Sequence, residues 1–267
     1  MISITSRDNP QVKRFCRLRD KSRERRESGL LALEGARLCA DAADNGLAVE
    51  TLFVTEQALA QYPVIARLSE STKQVLLVSD AVATLMAETE HPQGVFAVVA
   101  CPPDSLDPEA LDVTGRYLVL EGVRDPGNLG TIVRTAEAFG VDGLLLSADC
   151  CDLYSPKVLR AAMGGTLRLP TAVVTDLPAA IAKWRAQGLT PFACVADASA
   201  EPLTAVRLGA GCMPVIGNEG NGLTAEAIAA CGRSLTIPMA GRAESLNAAV
   251  AACIVMWELT KTEATNG

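Results

Sequence analysis

The chain has 267 residues, 49% of them hydrophobic, which is enough for one large core or two modest ones. Its formal charge of −7 argues against a protein that coats nucleic acid, and no apolar run reaches the roughly 18 to 20 residues of a membrane span. Nine cysteines, an odd count with no C-x-x-C pair, argue against a disulfide or zinc framework, and the N-terminus MISITSRDNPQVKRF resembles neither a signal nor a transit peptide, so a cytoplasmic location is expected.

The charge is unevenly spread. Residues 1–37 carry ten Lys/Arg against five acids, a net +5 on an acidic body, which fits either a local anion-binding face or a solvated helix laced with i,i+4 ion pairs. Within that segment Asn9-Pro10 starts a helix in which Val12, Phe15, Cys16 and Leu18 recur at helical spacing with arginines between them. Gly29–Gly35 reads as a short strand ending in a glycine turn, and a helix from Ala36 to Asn45 stops at Gly46. The pattern then predicts a strand at 49–55, a helix at 56–68 interrupted by Pro63, a strand at 74–79, a helix at 80–88 and a strand at 94–100. Such alternation points to a small α/β domain over residues 1–100.

Residues 101–115, CPPDSLDPEALDVTG, hold three prolines and several acids and read as a linker. A second alternating series fills 116–267. Strands are predicted at 116–121, 143–147, 191–196, 213–217 and 235–238, with 166–174 mostly extended. Helices are predicted at 129–139, 156–163, 177–187, 225–231 and 245–261. The nearly continuous apolar runs YLVLEG and GLLLS suit a parallel sheet covered on both faces, so this half reads as doubly wound α/β.

In an open parallel sheet, ligands sit beyond the carboxyl ends of the strands, so the loops there carry the candidates. The first, Glu121 to Arg134, has glycines and a proline for a tight crossover, with Arg134 either facing a ligand or pairing with Glu137 or Asp125 on the surface. It is neither G-x-G-x-x-G nor G-x-x-x-x-G-K-[ST], which removes the main support for a dinucleotide or nucleoside-triphosphate site. The second, IGNEGNGL at Ile216–Leu223, has three glycines in six residues around Glu219, and a helix follows it, so a plain hairpin turn does not fit. The third, IPMAGRAESLN at Ile237–Asn247, offers Ser245 as the cap of the last helix and Asn247 in its first turn, where Ala248, Ala249, Ala251 and Ala252 permit close packing.

These three stretches, N-x-G-x-x-x-R at Asn128–Arg134, IGNEGNGL and IPM-x-G-x-x-x-SLN, resemble the three ordered motifs of the SpoU (TrmH-like) branch of the SPOUT methyltransferases. SPKVLRAAMGGTLRLP and HPQG extend the resemblance over residues 90–260, while NPQVK and LEGARL resemble that family's ribosomal-protein-like RNA-binding domain. The resemblance implies a C-terminal parallel sheet threaded into a trefoil knot, a smaller N-terminal α/β RNA-binding domain, and a homodimer through the C-terminal domain. It implies S-adenosylmethionine as cofactor and methylation of a ribose 2′-hydroxyl in structured RNA, ribosomal RNA in preference to transfer RNA. A silent RNA-binding or ribosome-assembly protein with the same fold is the alternative of another class.

Matched residue by residue, the resemblance assigns catalysis to Asn128, Arg134, Glu219, Ser245 and Asn247, and cofactor binding to Gly217, Asn218, Gly220, Ile237, Met239 and Leu246. No metal is implied. In the family Arg134's counterpart is discussed as a base; a guanidinium is better suited to gripping a phosphate and stabilising a developing alkoxide. Glu219 would orient it, across the dimer or within one chain. His91, the one histidine, is expected to shape the approach to the second domain, and Cys150-Cys151 to be buried without a basic partner.

Overall fold

A computed structural model describes residues 2–102 and 106–261. It contains two compact units, one built from the chain up to residue 102 together with 152–167, the other from 106–151 and 168–261.

The first unit runs β1 (Ile2–Ile4), α1 (Pro10–Asp20), α2 (Ser22–Ser28), β2 (Leu30–Glu34), α3 (Ala36–Asp44), β3 (Val49–Val54), α4 (Glu56–Gln61), α5 (Val64–Ser71), β4 (Gln74–Val78), α6 (Asp80–Met86) and β5 (Val95–Ala100). Its sheet has the order β1-β4-β3-β5-β2. β1, β4 and β3 are parallel, and β5 runs antiparallel to both β3 and β2. Alternation along the strands splits the core in two. Phe53 and Phe96 meet Phe15 of α1 edge-on on one face, with centroids 5.8 and 5.6 Å away, while Leu31, Leu33, Leu52 and Val54 meet Cys39, Ile65 and Leu68 on the other.

The interruption expected at Pro63 is present: 56–68 is split between two helices, because Pro63 cannot donate the next helical hydrogen bond and Tyr62 turns extended before it, and the second helix runs on to Ser71. The three-residue edge strand β1 is too short to leave a periodic signal.

The second unit contains β6 (Tyr117–Leu120), α7 (Pro126–Ala138) and β7 (Gly143–Ser147). After α8 (Pro156–Ala162), which belongs to the first unit, it continues with β8 (Thr171–Val174), α9 (Leu177–Ala186), β9 (Thr190–Cys194), β10 (Glu201–Pro202), β11 (Cys212–Ile216), α10 (Ala225–Cys231), β12 (Ser234–Thr236) and α11 (Ala248–Thr260). The sheet order is β10-β12-β9-β11-β6-β7-β8, and every pair is parallel. β6 and β7 are buried along their whole length, as their unbroken apolar runs require. The strand order reverses at β6, which has β7 and β8 on one side and β11 and β9 on the other, and such a switch point opens a crevice at the strand ends. β6 and β11 are in register there, Leu120 beside Ile216, with the Glu121 N–H donating to the Ile216 carbonyl at 2.9 Å.

Two further segments depart from the sequence pattern. The pattern predicts residues 166–174 mostly extended; the structure has a 3-10 turn at Gly165–Leu167 and a strand only from Thr171, after Pro170. The expected linker is anchored at two points between 106 and 115, the rest of that stretch being mostly exposed. Leu106 and Leu111 enter the core around Trp184, whose Nε1–H donates to the Pro108 carbonyl at 2.7 Å. Residues 103–105 of that linker lie outside the described residues.

Asp152–Leu167 groups with the first unit for two physical reasons. Leu159 and Leu167 join its apolar core beside Leu31 and Leu33. Arg25 of α2 is buried and its guanidinium pairs with Asp152 while donating to the carbonyls of Leu18 and Arg19 at 2.5 and 2.8 Å, so the pair is embedded in hydrogen bonds. Burial acts to raise the Asp152 carboxyl, but Arg25 and the Tyr154 N–H outweigh it and hold the carboxyl below its ordinary range.

Candidate functional site

The loops after β6 and β11 leave adjacent strands at the same level, and α11 starts beside them. In the first loop Asp125 caps α7, accepting the Asn128 N–H at 2.8 Å, with Pro126 in the first turn. α7 therefore begins three residues earlier than the apolar pattern predicts, and Asn128 sits in its first turn.

The second loop is a closed turn. Asn218 and Gly222 exchange backbone hydrogen bonds of 3.1 and 2.9 Å, and the Asn218 carboxamide oxygen accepts the Gly220 N–H at 2.8 Å. Its Nδ2 donates to the Gly122 carbonyl at 2.7 Å, which ties the two loops together. Glycine is obligatory at Gly217, where a Cβ would lie 2.5 Å from the Gly222 carbonyl oxygen and the Leu223 nitrogen.

The third stretch closes the set. Asn247, and not Ser245 as the sequence suggested, caps the last helix: its Oδ1 accepts the N–H groups of Ala249 and Val250 at 2.9 and 3.2 Å. Its Nδ2 donates to Asn128 Oδ1 at 3.0 Å, and Asn128 Nδ2 donates to Glu219 Oε1 at 2.5 Å. A single chain of hydrogen bonds, Asn247 to Asn128 to Glu219, thus joins all three loops. Ser245 is exposed and lines the adjoining cavity.

That cavity has a volume of about 520 Å³. Its walls include Ile216, Leu223, Ile228, Leu235, Ile237, Met239, Leu246 and Val255, and the backbone of Gly217–Gly222 forms its rim. All six cofactor-binding candidates, Gly217, Asn218, Gly220, Ile237, Met239 and Leu246, line it. The backbone of residues 237–246 makes no hydrogen bond with any described residue, so a run of amide donors and acceptors stands free beside an apolar hollow. The combination fits a ligand with a flat heterocycle and a polar tail.

Arg134 is elsewhere. It is exposed on α7 and its side chain forms no hydrogen bond or ion pair with a described residue; Glu137 is taken by Arg168 at 2.8 Å and Asp125 by its capping role. The structure therefore gathers Asn128, Glu219 and Asn247, puts Ser245 on the cavity wall, and does not bring Arg134 to Glu219 within one chain.

Glu121 is a structural support of the glycine-rich loop to which the sequence reading gave no role. It is buried at the end of β6, and its carboxylate accepts both the Thr224 N–H at 2.8 Å and the Thr224 hydroxyl at 2.7 Å. Thr224 also caps α10, so the clamp fixes the far end of the glycine-rich loop. A carboxylate ending an otherwise apolar strand was the available signal. The Cys150 thiol is pushed up by burial and touches Ser147 Oγ at 3.5 Å and the Leu120 carbonyl at 3.6 Å, which suits packing and not nucleophilic attack. Burial likewise pushes the Cys39, Cys194 and Cys231 thiols up to about 12.

Comparison with known proteins gives the family and the fold. The SpoU rRNA methylase family model matches residues 115–257, and the MRM3-like substrate binding domain model matches residues 9–97. RlmP of Bacillus subtilis, a 23S rRNA guanosine 2′-O-methyltransferase, is 30% identical over 97% of this chain and 99% of its own. A 23S rRNA uridine 2′-O-methyltransferase of Streptomyces viridochromogenes is 32% identical over 97% of this chain and 91% of its own. The crystal structure of an AdoMet-bound rRNA methyltransferase from Sinorhizobium meliloti aligns with a TM-score of 0.83 at 30% identity, covering 97% of each chain.

Proposed function

The chain belongs to the SpoU rRNA methylase family, and from that premise we propose that it methylates a ribose 2′-hydroxyl of ribosomal RNA, using S-adenosylmethionine, as a cytoplasmic homodimer. The observation that carries the reading is the hydrogen-bonded chain Asn247–Asn128–Glu219, which joins three loops distant in sequence at the mouth of one cavity. The two rRNA relatives act on different bases, guanosine and uridine, so the reaction shared by the family is at the ribose.

The cavity suits S-adenosylmethionine. Unpaired backbone groups of 237–246 would meet the adenine and ribose edges, apolar side chains would cover the ring, and the Gly217–Gly222 turn would let the methionine end bend. When bound, the cofactor supplies a methyl group already activated by its sulfonium. What the protein must add is alignment of the 2′-hydroxyl and management of one proton and its developing charge.

Asn128 and Asn247 fix the site's geometry, because the Asn128 carboxamide is tied at both ends, to Asn247 and to Glu219, and that of Asn247 to Asn128 and to its own helix. Glu219 is presented by Asn128 at the exposed rim, where a ribose would approach. Arg134 supplies a forked, permanent donor for the adjacent phosphate and the nascent alkoxide. Since Glu219 is held by Asn128 in the same chain, Arg134 is assigned to the site of the partner protomer. Support comes from α11, which packs against α7 through Trp257 and Phe139, centroids 5.8 Å apart, yet leaves Trp257 54% and Val250 47% exposed. An exposed apolar helix face beside an unpaired arginine is what a protomer interface needs. The trefoil threading of the second unit belongs to the same reading.

The test is to map 2′-O-methyl groups in 23S rRNA from cells with and without the gene. One ribose methyl is expected to vanish with the gene and to return when purified protein and S-adenosylmethionine are added to the unmethylated RNA. Identical maps would refute the proposal.

A further inference from the structure

The first unit holds a second cavity, of about 360 Å³, formed where α8 packs on α1, β2, α3 and the turn after α6. Its walls are apolar, with Leu38, Met86, Pro156, Leu159 and Met163 among them. Its acids are already engaged: Glu34 accepts the Glu88 N–H at 2.8 Å and the Thr89 hydroxyl, and Glu88 faces Arg19 at 3.7 Å. Arg19 itself is committed, donating to the carbonyls of Leu85, Met86 and Ala87. The lining also includes Arg37, His91 and Arg160, all exposed, and none of the three side chains makes a hydrogen bond or ion pair with a described residue. The rim therefore presents two uncommitted guanidiniums while the interior is apolar.

Two further features mark the place as more than a packing gap. Gln93 has its Oε1 fixed by the Ala36 N–H at 2.9 Å, while its Nε2 donates to no described residue. Met163 ends α8 at φ 51°, the one non-glycine residue at positive φ among those described, and its side chain is 42% exposed at the cavity. Glycine is what such a helix stop ordinarily takes. A methionine kept there accepts backbone strain to place an apolar side chain at the rim.

We propose that this cavity takes one unstacked nucleotide from a single-stranded segment of the substrate RNA. The base lies between Met163 and the Leu38 and Pro156 walls, the Gln93 amide donates to its edge, and Arg37 and Arg160 hold the flanking phosphates. Unstacked bases packed on side chains, with backbone phosphates on arginines, are how proteins read single-stranded RNA. The inference rests on the RNA methyltransferase reading, and it gives the first unit a defined subsite and not a merely basic surface.

The test measures methyl transfer from S-adenosylmethionine to 23S rRNA from cells lacking the gene, with full-length protein at several salt concentrations. Arg37→Gln combined with Arg160→Gln is expected to raise KM about tenfold with kcat within about twofold, as loss of binding shared by ground and transition states does. The slope of log affinity against log salt should fall by about 0.7 for each phosphate that the variant no longer neutralises. Met163→Gly should raise the melting temperature, because glycine relieves the positive φ, and still raise KM. Wild-type KM and salt slope in the arginine variants, or a Met163→Gly protein that melts higher with unchanged KM, would overturn the subsite, and would leave the cavity to packing or to a protein partner. A wild-type protein that transfers no methyl group to this RNA would instead sink the functional reading beneath it.

Discussion

Replacing Gly217 by alanine probes the glycine-rich turn at one atom. The φ of Gly217 lies outside the left-handed region, so the backbone alone would accept alanine and space decides the outcome. The new Cβ would stand 2.5 Å from both the Gly222 carbonyl oxygen and the Leu223 nitrogen, where ordinary van der Waals separation begins near 3.4 Å. Those atoms must therefore retreat by about 0.9 Å. They are backbone, held by the paired Asn218–Gly222 hydrogen bonds and by the Glu121–Thr224 clamp, and cannot swing aside as a flexible side chain would. Losing the two Asn218–Gly222 bonds costs about 2 kcal/mol at roughly 1 kcal/mol each. If that energy is lost from the cofactor cavity, S-adenosylmethionine binds about 30-fold more weakly. Calorimetric titration with S-adenosylmethionine, beside a thermal melt, measures both effects. Affinity within about threefold of wild type in a protein of unchanged melting temperature would refute the argument that this turn has no room to give.

Arg134→Ala is expected to lower methyl-transfer turnover by at least about 100-fold while leaving S-adenosylmethionine affinity nearly unchanged, since Arg134 does not line the cofactor cavity; turnover within about tenfold of wild type would exclude its catalytic role. Glu121→Ala strands the Thr224 N–H and hydroxyl beside a buried gap and should cost about 2 kcal/mol of stability, read as a lower denaturant midpoint, together with weaker cofactor binding as the turn loosens; a wild-type midpoint would show the clamp to be idle. Asp152 gives a pH signature. Its folded carboxyl is held below the ordinary value of about 3.9, so its contribution is present above that pH and disappears as pH falls through the folded value. Asp152→Asn should therefore melt well below wild type at pH 7, and the gap should narrow as pH falls below about 3.9; a gap independent of pH would assign the pair no electrostatic role.

Much of the fold was legible because local chemistry and tertiary need coincide. Tyr117–Leu120 and Gly143–Ser147 read as fully buried parallel strands because both faces of that sheet are covered, and Phe15, Leu18 and Val12 fell on one face of α1 because that face meets the sheet. The three loops were legible for another reason: glycines crowded around polar side chains serve no core, so they mark a ligand site wherever they end strands. Asn128, Glu219 and Asn247 do meet.

What stayed hidden depends on partners distant along the chain. Whether Ser245 or Asn247 caps α11 is decided by Asn128, 119 residues earlier, whose Oδ1 holds the Asn247 side chain from the other end. The role of Glu121 needs Thr224, 103 residues later, and becomes visible only when β6 and β11 stand side by side. Asp152–Leu167 looks from its position like part of the second half, yet Arg25, 127 residues away, supplies the charge that Asp152 must meet on burial. Sequence alone determined most of the longer elements and singled out the three polar, glycine-rich loops at the strand ends, since hydrophobic period and backbone permission are properties of neighbouring residues. The pairing of polar side chains across the fold was left to the tertiary structure, because a carboxylate or carboxamide takes the partner that the fold brings to it and nothing in its own neighbourhood says which one.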